Sequence, residues 1–155
     1  MSAGAGFRVG IGYDSHRLVE GRRLVLGGVE VPYERGLAGH SDGDALTHAV
    51  IDALLGAVGE GDLGDLFPSD ERWRGADSLD LLRVAVGRIP GAVRSVDATV
   101  IAEQPRLGPH RAEMARNLGA VLSAPVSVKA TTNDAMGAIG RGEGIACIAV
   151  ALIET

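Results

Sequence analysis

Apolar residues alternate with small or polar ones through Phe7-Arg-Val-Gly-Ile-Gly-Tyr13, the two-residue period of a β-strand. Arg23-Leu-Val-Leu26 and Val29-Glu-Val31 repeat that alternation around Gly27-Gly28, which predicts a hairpin. A polar, glycine-rich loop follows, from about residue 33 to 43. The period then changes. From Asp44 to Val58 the apolar positions Leu46, Val50, Ala53, Leu54 and Ala57 recur at helical spacing, and Ser41 with Asp44 three residues on predicts a capping box at the helix start. A second loop, Gly59 to Ala76, ends at Asp77-Ser78, whose short polar side chains cap a helix through about Ile89. Val93 to Glu103 predicts a strand, Pro109 opens a third helix to about Ser123, and Val126 to Thr131 and Ile145 to Glu154 predict the last two strands. Residues 1–6 are small and featureless and predict an N-terminal tail, leaving 7–155 as the domain.

Strands alternating with helices, without repeat or linker, predict one α/β (α+β) domain whose mixed β-sheet carries helices on one face. The other face then needs a partner, which points to an oligomer. A chain of 155 residues buries roughly two thirds of its unfolded surface and needs no cross-links. The single cysteine, Cys147, lies in the apolar run from Gly144 to Ile153 and is expected in the core, a usage that fits a reducing compartment. That run is about half the length a bilayer crossing requires, and the first residues lack the order of a signal peptide, so a cytoplasmic protein with no membrane partner is expected.

Charge narrows the function. At a net −5 the chain is a poor candidate for binding nucleic acid by counterion release, and with 3 % aromatic residues it has little to stack bases on. A polyanionic ligand therefore requires metal ions to supply local positive charge.

Five segments carry candidate chemistry. Asp14-Ser15-His16 ends the first predicted strand, and residues two apart project to the same side, placing a carboxylate and an imidazole around one point. Alone, the pair reads better as an ordinary turn with an Asp cap and a solvated histidine. The second segment, His40-Ser-Asp-Gly-Asp-Ala-Leu-Thr-His48 with Asp52, puts Asp44, His48 and Asp52 four residues apart on one helix face, with a carboxylate one turn to either side of the imidazole. A solvated polar face explains that spacing too. The weight comes from two histidines and three aspartates within so short a stretch of a chain holding four histidines in all. Asp14, His16 and His48 together make a His₂Asp set, the three-ligand zinc site that keeps its fourth position open. The third segment, Gly61 to Glu71, is turn-rich, and its Asp62 can accept from sugar hydroxyls. The fourth, Ala102 to Gly108, and the fifth, Lys129 to Asp134 with Gly140-Arg-Gly-Glu-Gly144, offer hydroxyls, amides and cations at strand ends, which suit a diphosphate. None matches a Walker loop, and Gly10-Ile-Gly12 is too short to indicate a dinucleotide fold.

In order and spacing these segments resemble the 2-C-methyl-D-erythritol 2,4-cyclodiphosphate synthases of the non-mevalonate isoprenoid pathway. The resemblance runs from about Arg8 to Leu152. Its most specific pieces are Arg8-Val-Gly-Ile-Gly-Tyr-Asp-Ser-His16, Gly39-His-Ser-Asp-Gly-Asp44, Asp52-Ala-Leu-Leu-Gly56, Gly61-Asp-Leu-Gly64, Gly75-Ala-Asp-Ser78, Val128-Lys-Ala-Thr-Thr132 and Gly140-Arg-Gly-Glu-Gly-Ile-Ala146.

The resemblance implies the cyclisation of a cytidine-diphosphate-linked sugar phosphate by a metal-dependent phosphorus-oxygen lyase, with CMP released. It places zinc ligands at Asp14, His16 and His48, a Mg²⁺ or Mn²⁺ ion with the substrate, and transition-state contacts at His40 and Thr132. Asp62 and Gly64 match a ribose-binding pair, and Phe67, Ser69, Asp70 and Glu71 match the loop lining the methylerythritol phosphate, with Ser41 beside it. Ala102, Pro105, Arg106, Leu107 and Gly108, with Ala130 and Thr131, match a cytosine and diphosphate pocket supplied by the neighbouring subunit of a homotrimer. Four positions depart from the pattern. Asp134 stands for a common Glu that helps hold the second ion, and Arg106 for a common Lys. Ala138 stands for a common Phe near the trimer axis, where Arg141 and Glu143 also fall, and Ser15 for a common Val. Two rivals remain beside this reading: a non-catalytic nucleotide- or metabolite-binding trimer of the same fold, and a generic zinc phosphohydrolase.

Overall fold

The computed structural model describes residues 6–155; residues 1–5 of the expected tail lie outside the described residues. Gly6 exchanges two backbone hydrogen bonds of 2.9 Å with Thr155, so the expected tail reaches one residue too far. The chain runs β1 (Phe7–Glu20), β2 (Leu24–Leu26), β3 (Val29–Val31), β4 (Arg35–Leu37), α1 (Ala45–Val58), α2 (Leu63–Leu66), α3 (Ser78–Val86), β5 (Ala92–Ile101), α4 (Arg111–Leu122), β6 (Val126–Thr131), α5 (Gly137–Gly140) and β7 (Gly144–Glu154). Five strands form one mixed sheet in the order β4-β1-β7-β5-β6, in which only β5 and β6 run parallel. β2 and β3 form a separate hairpin closed by Gly27 and Gly28, both at positive φ. The expected single α+β domain is the one observed.

Three differences from the sequence reading bear on the site. β1 continues through Asp14-Ser15-His16, which lie mid-strand opposite Cys147, Ala146 and Ile145 of β7 rather than at a strand end. Both long loops contain structure, the first β4 and the second α2 with a 3-10 turn over Glu71–Trp73. The capping box expected at Ser41 and Asp44 is absent. Asp44 is itself the N-cap, accepting from the Thr47 amide at 2.9 Å and its hydroxyl at 2.7 Å, while Ser41 turns its hydroxyl to His48. A true capping box closes α2 instead, between Asp62 and Asp65.

Helix α1 is buried on nearly every side, because β1 and β7 lie under it and α3 flanks it. Its approach to the sheet depends on two glycines. A Cβ at Gly10 would stand 1.8 Å from the Ala53 carbonyl oxygen, and one at Gly12 1.8 Å from that of Ala49, so any side chain there would push helix and strand apart. This is what the Gly10-Ile-Gly12 pattern is for. The alternation of β1 puts Asp14 and His16 in phase with these glycines, on the same face, one helical turn from where Ala49 meets Gly12. His48 on α1 thereby comes within reach of both. The opposite face of β1 is uncovered: Phe7, Val9, Ile11 and Tyr13 are 58–71 % exposed, and Val150 of β7 joins them. Cys147 is buried among apolar neighbours, as expected. Among the described residues no helix is long and apolar enough to cross a membrane.

Candidate active site

Asp14 Oδ2 stands 2.7 Å from His16 Nε2 and 3.0 Å from His48 Nδ1, and the two ring nitrogens are 3.4 Å apart. Three donor atoms from one strand and one helix converge on a single point, as the sequence reading grouped them. Donors around a tetrahedral zinc ion lie roughly 3.3 Å apart, so a small widening of this triangle admits the ion, and two imidazoles with one carboxylate are a donor set that suits it. The electrostatics keep the carboxylate of this set charged. Burial pushes the Asp14 carboxyl up, but the hydrogen bonds and charges of His16 and His48 outweigh it and hold the group at about 2, so it is a carboxylate at neutral pH. Burial pulls the His48 imidazole down, but the hydrogen bond and charge of Asp14, with the charges of Asp44 and Asp42, together leave it above the ordinary value.

His48 is 4 % exposed, not on a solvated face. Its Nε2, on the far side from Asp14, meets the Ser78 hydroxyl at 2.8 Å and the Ser41 hydroxyl at 3.1 Å. The carboxylates one turn away on the helix are not its hydrogen-bond partners. Asp44 is fully buried and accepts from the Gly27 and Gly28 amides, each at 2.9 Å, as well as from Thr47, tying the helix start to the β2–β3 hairpin. Asp52 accepts from the Leu63 amide at 2.7 Å, holding the start of α2. Burial raises both carboxyls. The sequence reading gave Ser78 no part in the site and counted Asp42 only among the three aspartates near His40 and His48. Ser78 was visible in Gly75-Ala-Asp-Ser78, but it read as a helix cap, a role that Asp77 fills.

The triad opens onto a cavity of about 160 Å³ shared with His40, Ser41, Phe67 and Ser69. His40 donates through Nε2 to the Asp70 carbonyl at 2.6 Å, linking the Gly39–Asp42 loop to the 67–71 loop. Of that second loop Phe67 and Ser69 face the cavity. The Asp70 side chain caps the Arg72 amide and Glu71 pairs with Arg74, so these two carboxylates are occupied in the chain itself. Asp62 and Gly64 begin α2, where Asp62 is engaged with Asp65.

A second cavity, of about 750 Å³, is lined by Ala102, Pro105, Arg106, Leu107, Gly108, Ala130, Thr131 and Thr132. It gathers the β5 and β6 ends that the sequence reading assigned to one ligand. It shares no lining residue with the triad cavity. Beside it, Asp134 and Ala135 both adopt positive φ, and the turn is braced by Glu103, whose carboxylate accepts from the Asn133 and Ala135 amides at 2.9 and 3.1 Å. Ala138 lies on α5, and Arg141 follows it, paired with Glu143 at 2.7 Å; neither residue lines these two cavities.

The model of the YgbB family matches residues 7–154. The chain is similar to the 2-C-methyl-D-erythritol 2,4-cyclodiphosphate synthase of Symbiobacterium thermophilum, 57 % identical over 152 residues that span 94 % of this chain and 97 % of that one. With the synthase of the same name from Salinibacter ruber it is 56 % identical over 155 residues, 96 % of this chain and 99 % of that protein. Among solved structures it resembles the Plasmodium falciparum IspF in complex with CDP, with a TM-score of 0.82 and 34 % identity over 96 % of each chain.

Proposed function

The chain belongs to the YgbB family, and from that membership and the site's geometry we propose that it converts 4-diphosphocytidyl-2-C-methyl-D-erythritol 2-phosphate into 2-C-methyl-D-erythritol 2,4-cyclodiphosphate and CMP. The observation that carries this is the convergence of Asp14, His16 and His48 at the mouth of a cavity rather than in a closed core. An oxygen of the substrate's own 2-phosphate attacks the β-phosphorus, and the bond from that phosphorus to the bridging oxygen breaks, the oxygen leaving on CMP. No protein nucleophile is needed. Asp14, His16 and His48 would hold a zinc ion, which when bound would supply Lewis acidity to the β-phosphate. The chain's own residues do the rest by position. His40 and Thr132 donate to phosphate oxygens that gain charge, and holding both substrate arms raises the effective concentration of the attacking group. Asp62 and Gly64 hold the ribose, Ser41 and residues 67–71 enclose the methylerythritol phosphate, and the 102–108 segment with Ala130 and Thr131 takes the cytosine and diphosphate. Asp134 is the chain's contribution to holding Mg²⁺ or Mn²⁺ there, one methylene shorter than the family's common Glu.

The assembly belongs to the same reading. A homotrimer that buries the exposed β1 and β7 face sets the triad of one subunit beside the nucleotide half-site of the next, which explains why the two cavities of one chain are apart. A complete donor set open to a cavity argues against a binding-only trimer, which has no use for it. Phosphorus NMR of the purified, zinc-loaded protein with its substrate is the test. The expected result is the pair of coupled signals of a cyclic diphosphate appearing with CMP; binding without turnover supports the non-catalytic trimer instead, and CMP with only acyclic phosphates supports a hydrolase.

A further inference from the structure

We propose that Ser78 and Asp42 form a one-way hydrogen-bond relay that fixes the tautomer and ring orientation of His48, making them positioning residues for the metal centre. The inference rests on the reading of Asp14, His16 and His48 as a metal site.

The direction of the relay follows from donor and acceptor counts. The Asp42 carboxylate has no proton to give, and it accepts three hydrogen bonds. Two come from Ser78, one through its hydroxyl to Oδ1 and one through its amide to Oδ2 at 2.9 Å, and the Asp44 amide supplies the third, to Oδ1, at 3.0 Å. The first turn of α3 thus holds the carboxylate against its amide end, where negative charge is favoured. Since the Ser78 hydroxyl proton is committed to Asp42, its oxygen toward His48 acts as an acceptor. Nε2 of His48, 2.8 Å away, therefore carries the proton. That leaves Nδ1, which faces Asp14 and His16, as the nitrogen whose lone pair is available to an ion.

Burial makes the relay consequential. Ser78 is 0 % and His48 4 % exposed, so water has little access to replace a lost partner. The Ser41 hydroxyl, at 3.1 Å from Nε2, is a second and longer acceptor, and it stands on a loop held from outside by Arg22, which donates to the Ser41 carbonyl at 2.9 Å. Ser41 softens the loss of Ser78 without abolishing it.

The test uses Ser78→Ala and Asp42→Ala in the full chain. Zinc affinity is measured by chelator competition, with circular dichroism as the check on folding. Ring-¹⁵N-labelled histidine reports the tautomer, a tractable spectrum because the chain has four histidines. In the zinc-loaded parent protein His48 is expected with its proton on Nε2. Ser78→Ala is expected to weaken zinc roughly tenfold or more with unchanged circular dichroism. Ser78→Thr, which keeps the hydroxyl, recovers affinity. If Ser78→Ala does not fold, Asp42→Ala carries the test, since it removes the acceptor to which the Ser78 hydroxyl proton is committed. Parent-like zinc affinity and Nε2–H in a folded variant overturn the relay while leaving the metal site standing. A parent protein that binds no zinc overturns both.

Discussion

His16→Ala is expected to fold normally, to lose zinc and to lose turnover by on the order of a thousandfold or more. The histidine side chain is 20 % exposed and lies on the sheet surface at the cavity edge, so its removal takes a ligand without leaving a sealed void. His48→Ala loses the same chemistry but adds a stability cost of about 2 kcal/mol, because that ring is buried and paired on both sides. Metal content by mass spectrometry, beside circular dichroism and a CMP assay, separates the two. The proposed sharing of each site between two subunits adds a second expectation. Thr132→Ala cripples the other half-site, so random co-assembly of equal amounts of the two variants, by co-expression, leaves roughly a quarter of trimer interfaces with both halves intact. Activity of mixed trimers no higher than that of either variant alone would place the whole site within one chain, and a zinc-loaded, active His16→Ala would remove His16 from the ligand set.

Asp44→Ala should be among the most destabilising single changes in the molecule, about 4 kcal/mol, or roughly 10 °C in apparent melting temperature. Its carboxylate is fully buried and each oxygen accepts two hydrogen bonds: Oδ1 from the Gly27 and Thr47 amides, Oδ2 from the Gly28 amide and the Thr47 hydroxyl. Alanine strands the three amides in the interior and releases the helix from the hairpin. Asparagine should be nearly as damaging, since its amide nitrogen turns a donor toward two donors. Thermal unfolding is the readout. A shift of less than about 2 °C for Asp44→Ala would mean that water or a rearranged hairpin satisfies those groups.

Much of the fold was legible because its patterns are local. The period-two run from Phe7, the Gly27-Gly28 hairpin and the helical spacing after Asp44 each come from residues adjacent in sequence. The convergence of Asp14, His16 and His48 was legible too, since few histidines and aspartates occupy strand and helix positions that can meet. What failed was the allocation of polar side chains among competing partners. Ser41 and Asp44 have capping-box spacing, but Asp44 alone caps the helix because it also gathers the hairpin amides from 17 and 16 residues upstream. Asp44 and Asp52 sit where helical spacing puts partners for His48, yet tertiary contacts with Gly28 and Leu63 claim them. The real partner, Ser78, is 30 residues away and arrives only when α3 packs against α1. Such long-range assignments leave no periodic trace.

In intramolecular cyclisation the attacking oxygen comes from the substrate and not from solvent. This is tested by running the reaction in ¹⁸O-labelled water and weighing both products by mass spectrometry. Intramolecular attack predicts unlabelled CMP and an unlabelled cyclic diphosphate, because the bond that forms and the bond that breaks both involve oxygens the substrate already carries. One ¹⁸O atom in either product, acquired during turnover, would show that water attacks and would make the site a hydrolase.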